Sequence, residues 1–159
     1  MPHHKSTPEL NLPGHLNHRG LSTLLGYHLA QASVPTNNLF KVRIGLPFQL
    51  SKLDFTILML LCANESVTPK RLSAAMNIPA SNLTLIVDRL VARELVVRER
   101  SNQDRRVQYM ALTDKGTALT QEVIAVSDVM ENDLLQHLTL AEQAMLLELL
   151  RKVAVHRKN

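Results

Sequence analysis

The sequence predicts a mainly α protein with one small β-hairpin, an α+β fold dominated by helices. Three observations carry that expectation. Aromatic residues make up 3% of the 159 residues (three Phe, two Tyr, no Trp), so Leu, Val, Ile, Met and Ala must fill the core. Only five glycines serve turns, which disfavours a sandwich or barrel built from many short strands. Apolar residues recur at helical spacing along most of the chain, and the period changes to two in a single stretch, between Leu95 and Leu112. The length suits one compact domain, and 45% apolar against 20% charged residues is the balance of a folded chain rather than a disordered one.

Residues 1–19 hold Pro2, Pro8, Pro13 and Gly14 without a sustained period and read as a loose arm. Its histidines, His3, His4, His15 and His18, match no tight ligand spacing, so they read as solvated and no metal site is expected. From Leu21 the pattern turns helical, with Leu21, Leu24, Leu25, His28, Leu29 and Ala32 on one face. Pro35 interrupts it by pushing Val34 away from helical backbone, and Leu39, Phe40, Val42 and Ile44 resume the apolar pattern before Gly45 and Pro47. One kinked helix or two short ones satisfy this stretch, 20–48.

Ser51 is placed to cap the next helix with Asp54 three residues on. That helix is apolar nearly all round, from Leu53 to Cys62, and is expected to be buried, which makes Cys62 a small core hydrophobe. Thr68 caps a short helix with Pro69 at its first position and Leu72, Ala75 and Met76 facing inward; Asn77 closes it. Pro79 opens another, with Leu83, Ile86, Val87 and Leu90 as a stripe. Two short helices so close together suggest a helix-turn-helix. Leu95–Arg100 and Val107–Leu112 alternate as strands around the polar, charged loop 101–106. Thr113 caps a long helix, and Thr139 with Glu142 forms a capping box for the last, whose apolar positions include Leu140, Met145, Leu146, Leu149, Leu150 and Val153.

Charge is unevenly spread. Segment 116–150 holds six acidic residues and no basic ones, while 151–159 holds four basic and no acidic ones. Segments 1–64 and 65–115 each carry an excess of three basic residues, a modest pointer to an anionic partner. The single cysteine excludes an internal disulfide and a cysteine-cluster zinc site. The longest mainly apolar run, Phe55–Ala63 with Thr56 inside it, is too short to span a bilayer, and the polar start Met1–Lys5 does not resemble a secretory signal; a cytoplasmic location is the expectation. No nucleophile has a base at usable spacing, and there is no phosphate-binding glycine loop and no pair of catalytic carboxylates, so neither an enzyme nor a cofactor is expected.

A helix-turn-helix followed by a hairpin with a basic loop is a winged helix. Such a fold works by fit: a helix enters the major groove with its N-terminal side chains at base edges, and an arginine on the hairpin loop reaches phosphates or the minor groove.

At this point a resemblance becomes specific. Residues 20–155 resemble the MarR family of bacterial transcription regulators through Leu83-Thr84 and Val87-Asp88-Arg89-Leu90, then Leu95-Val96 and Arg98, then Asp104-Arg105-Arg106, and finally Leu112-Thr113-Asp114-Lys115-Gly116. The D-x-R element followed, six residues after its Arg, by L-T-x-x-G is the family's wing signature. Two positions depart from the family pattern. Glu94 stands where a glycine is frequent, which would strain a left-handed backbone, and Leu85 stands where a basic residue often follows the L-T pair. Leu85 leaves two readings open, a thymine-methyl contact or packing.

The resemblance implies double-stranded operator DNA as partner, a homodimer, and location on the bacterial nucleoid when bound. It divides the chain into the arm 1–19, an N-terminal dimerisation helix at 20–48, the winged helix-turn-helix at 49–113 and C-terminal dimerisation helices at 114–159. Ser81, Asn82 and Thr84 become base-contact candidates, the alternative being ordinary helix-start chemistry. Arg106 is assigned to the wing tip, Asp104 to orienting it, and Arg105 to a phosphate. Lys70, Arg71, Arg89, Arg98 and Arg100 are further DNA candidates, with Arg98 equally able to pair with Asp88 or Glu99. Effectors in the family are small phenols or aromatic carboxylates. Arg19 would take the carboxylate, Ser22, His28 and Arg43 would supply polar groups, and Phe40, Phe55 and Met59 an apolar wall; the alternatives are a satisfied interface histidine at His28 and a solvated helix start at Arg19. The expected function is a ligand-released repressor; a redox sensor using Cys62 and a winged-helix protein-interaction module are the competing readings.

Overall fold

The computed structural model describes residues 16–18, 20–100 and 108–155. By contact density the chain divides into two units, Met1–Pro35 and Thr36–Asn159. The described elements run α1 (Leu25–Phe40), a π-helical turn (Lys41–Gly45), α2 (Lys52–Cys62), α3 (Pro69–Met76), α4 (Ala80–Ala92), β1 (Val96–Arg100), β2 (Gln108–Leu112), α5 (Asp114–Leu135) and α6 (Leu140–Val155). This is the mainly helical winged-helix architecture with one hairpin that the sequence predicts.

The first helix differs in detail. It begins at Leu25, four residues later than the apolar pattern suggests, because residues 20–23 form turns closed by Leu21 and Ser22 N–H bonds to His18 O. Of the two alternatives left open around Pro35, the structure takes the single helix, with Pro35 inside α1. In the same unit Tyr27 Oη lies 2.5 Å from His18 Nδ1, and His28 Nε2 lies 2.8 Å from Ser22 O.

In the second unit the core gathers Ile44, Ile57, Leu58, Leu72, Leu83, Val87, Leu90, Leu95, Val96, Met110 and Val123. Phe40 joins it and meets Phe55 edge-on, with ring centroids 5.7 Å apart, so the end of α1 is packed on α2. Each following helix is started by its own sequence. Ser51 and Asp54 form a reciprocal capping box on α2. Thr68 Oγ1 accepts from Arg71 N–H ahead of Pro69, and Thr113 Oγ1 accepts from Gly116 N–H at the start of α5. Thr139 and Glu142 cap α6 in the same reciprocal way, and this lowers the Glu142 carboxyl below its ordinary range.

Two burial expectations are corrected. Cys62 is exposed, because α2 buries only the face of Asp54, Ile57, Leu58 and Leu61, and Cys62 is its last residue, off that face. Ala75 is exposed too; α3 is short and buries Leu72 alone.

The hairpin is antiparallel, with Val96 opposite Leu112 and Arg100 opposite Gln108. Its base is tied to the helix pair. Met110 N–H donates to Val67 O at 2.8 Å, and these two residues form a bridge just before α3. The end of α4 is a Schellman turn, in which Glu94 N–H bonds Val91 O and Leu95 N–H bonds Leu90 O. Glu94 takes the left-handed position with φ 59°, so the strain expected of a non-glycine residue is present. α6 buries none of its residues.

Candidate nucleic-acid interface

α4 presents two opposite faces. Leu83, Ile86, Val87 and Leu90 are buried, while Ser81, Leu85, Asp88 and Ala92 form an exposed ridge on the other side. Asn82 and Thr84 flank that ridge and are also exposed. Thr84 Oγ1 donates back to Ala80 O at 3.0 Å, which satisfies its hydroxyl proton inside the helix. Leu85 is 70% exposed, which removes packing within the chain as the account of this residue.

The hairpin stands beside this helix. Arg98 Nη2 donates to Asp88 Oδ1 at 2.5 Å, the pairing that the sequence left open between Asp88 and Glu99. A cavity of about 240 Å³ lies between them, lined by Pro69, Thr84, Val87, Arg98, Gln108 and Met110 among others. Lys70 and Arg71 are exposed at the start of α3, where Arg71 also donates to Ser66 O at 3.2 Å. Arg100 is exposed at the end of β1. Asp104, Arg105 and Arg106 lie outside the described residues.

Arg89 is on α4 but has an internal partner. Its Nη2 donates to Asp54 Oδ1 at 2.6 Å and lies 3.5 Å from Ser51 Oγ. Asp54 is only 2% exposed. Burial raises its pKa, but hydrogen bonds from Arg89 and from the Ser51 side chain and N–H, with the Arg89 charge, outweigh that and hold the carboxyl below its ordinary range. One turn on, Arg93 donates to Gln49 O at 2.7 Å and Phe48 O at 2.9 Å. The two arginines thus fasten the end of α4 to the first turn of α2 and to the segment just before it. Sequence reasoning missed Asp54 and Arg93 in this role. The available signal was a carboxylate in the first turn of an otherwise apolar helix, which needs a cation once buried.

The residues read as effector contacts fall in both units, and several have partners of their own. In the first, His28 bonds Ser22 O. In the second, Arg43 pairs with Asp133 of α5 at 2.8 Å, Phe40 is a core residue against Phe55, and Met59 is half-buried on α2. Arg19 lies outside the described residues. Among the described residues no three of His, Cys, Asp and Glu stand together as metal ligands, and no helix is long and apolar enough to cross a membrane.

Comparison with known proteins agrees with this geometry. Residues 44–107 match the family model described as MarR family. The repressor CouR, solved bound to a 23-mer DNA duplex, is 32% identical and superposes with a TM-score of 0.81 over 87% of this chain and 98% of its own. Bordetella bronchiseptica BpsR, whose DNA binding is regulated by 6-hydroxynicotinic acid, is 25% identical with a TM-score of 0.76, over 84% of this chain and 95% of its own. The Bacillus subtilis regulator MhqR is 26% identical over 109 residues, 69% of this chain and 75% of that protein. Taken with the helix pair and the hairpin described above, these likenesses show that the chain belongs to the MarR family of winged-helix, DNA-binding transcriptional regulators.

Proposed function

We propose that this regulator is a repressor that binds a pseudo-palindromic operator as a homodimer and lets go of it when a small aromatic carboxylate or phenol binds. The observation that carries the reading is a pair of incomplete surfaces. α4 offers an exposed ridge beside the hairpin, and α6 leaves its apolar side chains in water, with Leu140 84% and Val155 81% exposed. Apolar area on that scale fits a second copy of the chain. Two copies related by a twofold axis would address half-sites about one helical turn apart. The CouR and BpsR likenesses support operator binding and an aromatic acid as effector.

In this reading Ser81, Asn82 and Thr84 face bases, Lys70, Arg71, Arg100 and Arg105 face phosphates, and Arg106 enters or borders the minor groove with Asp104 orienting it. Arg98 and Arg89 act first through their ion pairs with Asp88 and Asp54. Arg19, Ser22, His28, Arg43, Phe40, Phe55 and Met59 are the effector contacts to test by single substitution. Release is a population shift: operator and effector each weaken the other by the same factor.

The test is operator binding by the full chain with and without saturating aromatic acids, together with Arg106→Ala. Affinity should fall steeply with salt, drop further with the right acid, and weaken by roughly 1–3 kcal/mol in Arg106→Ala. An unchanged Arg106→Ala or salt-independent binding leaves the protein-interaction reading instead. The exposure of Cys62 favours redox sensing as a second reading, which predicts oxidant-dependent release that vanishes in Cys62→Ser.

A further inference from the structure

We infer that Leu85 reads thymine by its C5-methyl group, and that it sets the operator sequence at one position of each half-site. The inference rests on α4 being the helix that enters the major groove. Ser81, Leu85, Asp88 and Ala92 form the outward ridge of α4, with Leu85 in the middle. The ridge offers no cation there. Asp88, one turn on, is held by Arg98, so that guanidinium is already engaged with a carboxylate. Thr84, next to Leu85, has its hydroxyl proton turned back onto Ala80 O.

A lone exposed leucine elsewhere would need no explanation. At the centre of a groove-reading ridge it has a definite consequence. It strips water from whatever base edge it meets, and it has no donor or acceptor to offer in return. Among the edges on the floor of the major groove, adenine, guanine and cytosine present polar groups, whereas thymine adds a methyl. Only an apolar counterpart offsets the lost hydration of the base edge, so Leu85 selects a thymine.

The test uses the full-length chain and a duplex that it selects from a random library. Each thymine of that duplex is replaced in turn by deoxyuridine, which removes the methyl and nothing else. At one thymine per half-site the wild type should lose about three- to five-fold in affinity, and Leu85→Ala should bind both duplexes alike. Leu85→Met should restore the discrimination. All three proteins should melt at the same temperature, since the side chain is 70% exposed. Selection by Leu85→Arg should replace that thymine by guanine. If the wild type binds its duplex but no deoxyuridine changes the affinity, or if Leu85→Ala keeps the full methyl effect, the inference falls while the regulator reading stands. If the chain shows no salt-dependent affinity for any duplex, both fall.

Discussion

Arg89 reaches across from α4 to Asp54, 35 residues earlier, and closes a 2.6 Å ion pair on a carboxylate that is almost wholly buried. The arginine itself is half exposed, so the pair is a surface cation pinning a buried anion. Asp54 also accepts from Ser51 N–H at 2.8 Å, which makes one side chain both a helix cap and a tertiary latch. Asp54→Asn should therefore lower stability by about 1–3 kcal/mol. The pH dependence has a fixed sign. A carboxyl held below its unfolded pKa adds stability above that value and loses it as the pH falls through the folded one. Urea melts at descending pH should show the gap between wild type and Asp54→Asn closing below about pH 4. A gap that stays constant down to pH 3 would refute the latch.

Among the described glycines, Gly116 stands nearest to neighbouring backbone. A Cβ at this position would stand 1.9 Å from the Leu95 carbonyl oxygen, and that carbonyl also accepts Thr113 N–H at 3.2 Å. Neither backbone can yield without pulling β1 from the start of α5. Gly116→Ala should cost more than about 3 kcal/mol or prevent folding altogether. Gly26→Ala is the control: a Cβ there meets nothing within 4 Å, and alanine in α1 should stabilise by about 0.5–1 kcal/mol. Comparable melting temperatures for the two variants would contradict this account.

Glu94 occupies the left-handed position of the Schellman turn that ends α4. Its side chain pairs with Lys115 at 3.0 Å, but both partners are well exposed, so the pair contributes little. Glu94→Gly should raise stability by about 0.5–1 kcal/mol by removing backbone strain. Calorimetry would detect it as a higher melting temperature with DNA affinity unchanged. A lower melting temperature would mean that the Lys115 pair outweighs the strain.

α6 gives a prediction about assembly. Leu146, Leu149 and Val153 are all exposed in the single chain. If a second copy covers them, Leu149→Glu should yield a monomer by sedimentation and abolish tight operator binding, because each half-site alone is weak. A Leu149→Glu protein that sediments and binds like wild type would exclude this face as the dimer contact.

Much of this was legible in the sequence wherever the chemistry is local. Ser51 with Asp54, Thr68 before Pro69, Thr113 before Gly116 and Thr139 with Glu142 each act over three residues, and every one of these caps forms. The buried stripe Leu83, Ile86, Val87 and Leu90 follows from helical period alone. What stayed hidden depends on packing at long range. Arg89 resembles any surface cation until α2 brings Asp54 to it, and Cys62 reads as core because helical period does not tell which face of an all-apolar helix is covered. α1 starts later than its apolar period suggests because turns at 20–23 use the same leucines that a helix would.

The bridge between Val67 and Met110 has a dynamic consequence. A two-stranded ribbon standing alone in water is barely stable. Anchored by Met110 N–H to the strand-like residue ahead of α3, and by the Schellman turn to α4, this ribbon has no hinge of its own at its base. Whatever tilts the helix pair carries the ribbon with it. If α4 and the ribbon face DNA as proposed, they leave or meet a DNA site together, and a graded signal arriving at this part of the chain would be converted into a single docked-or-undocked choice.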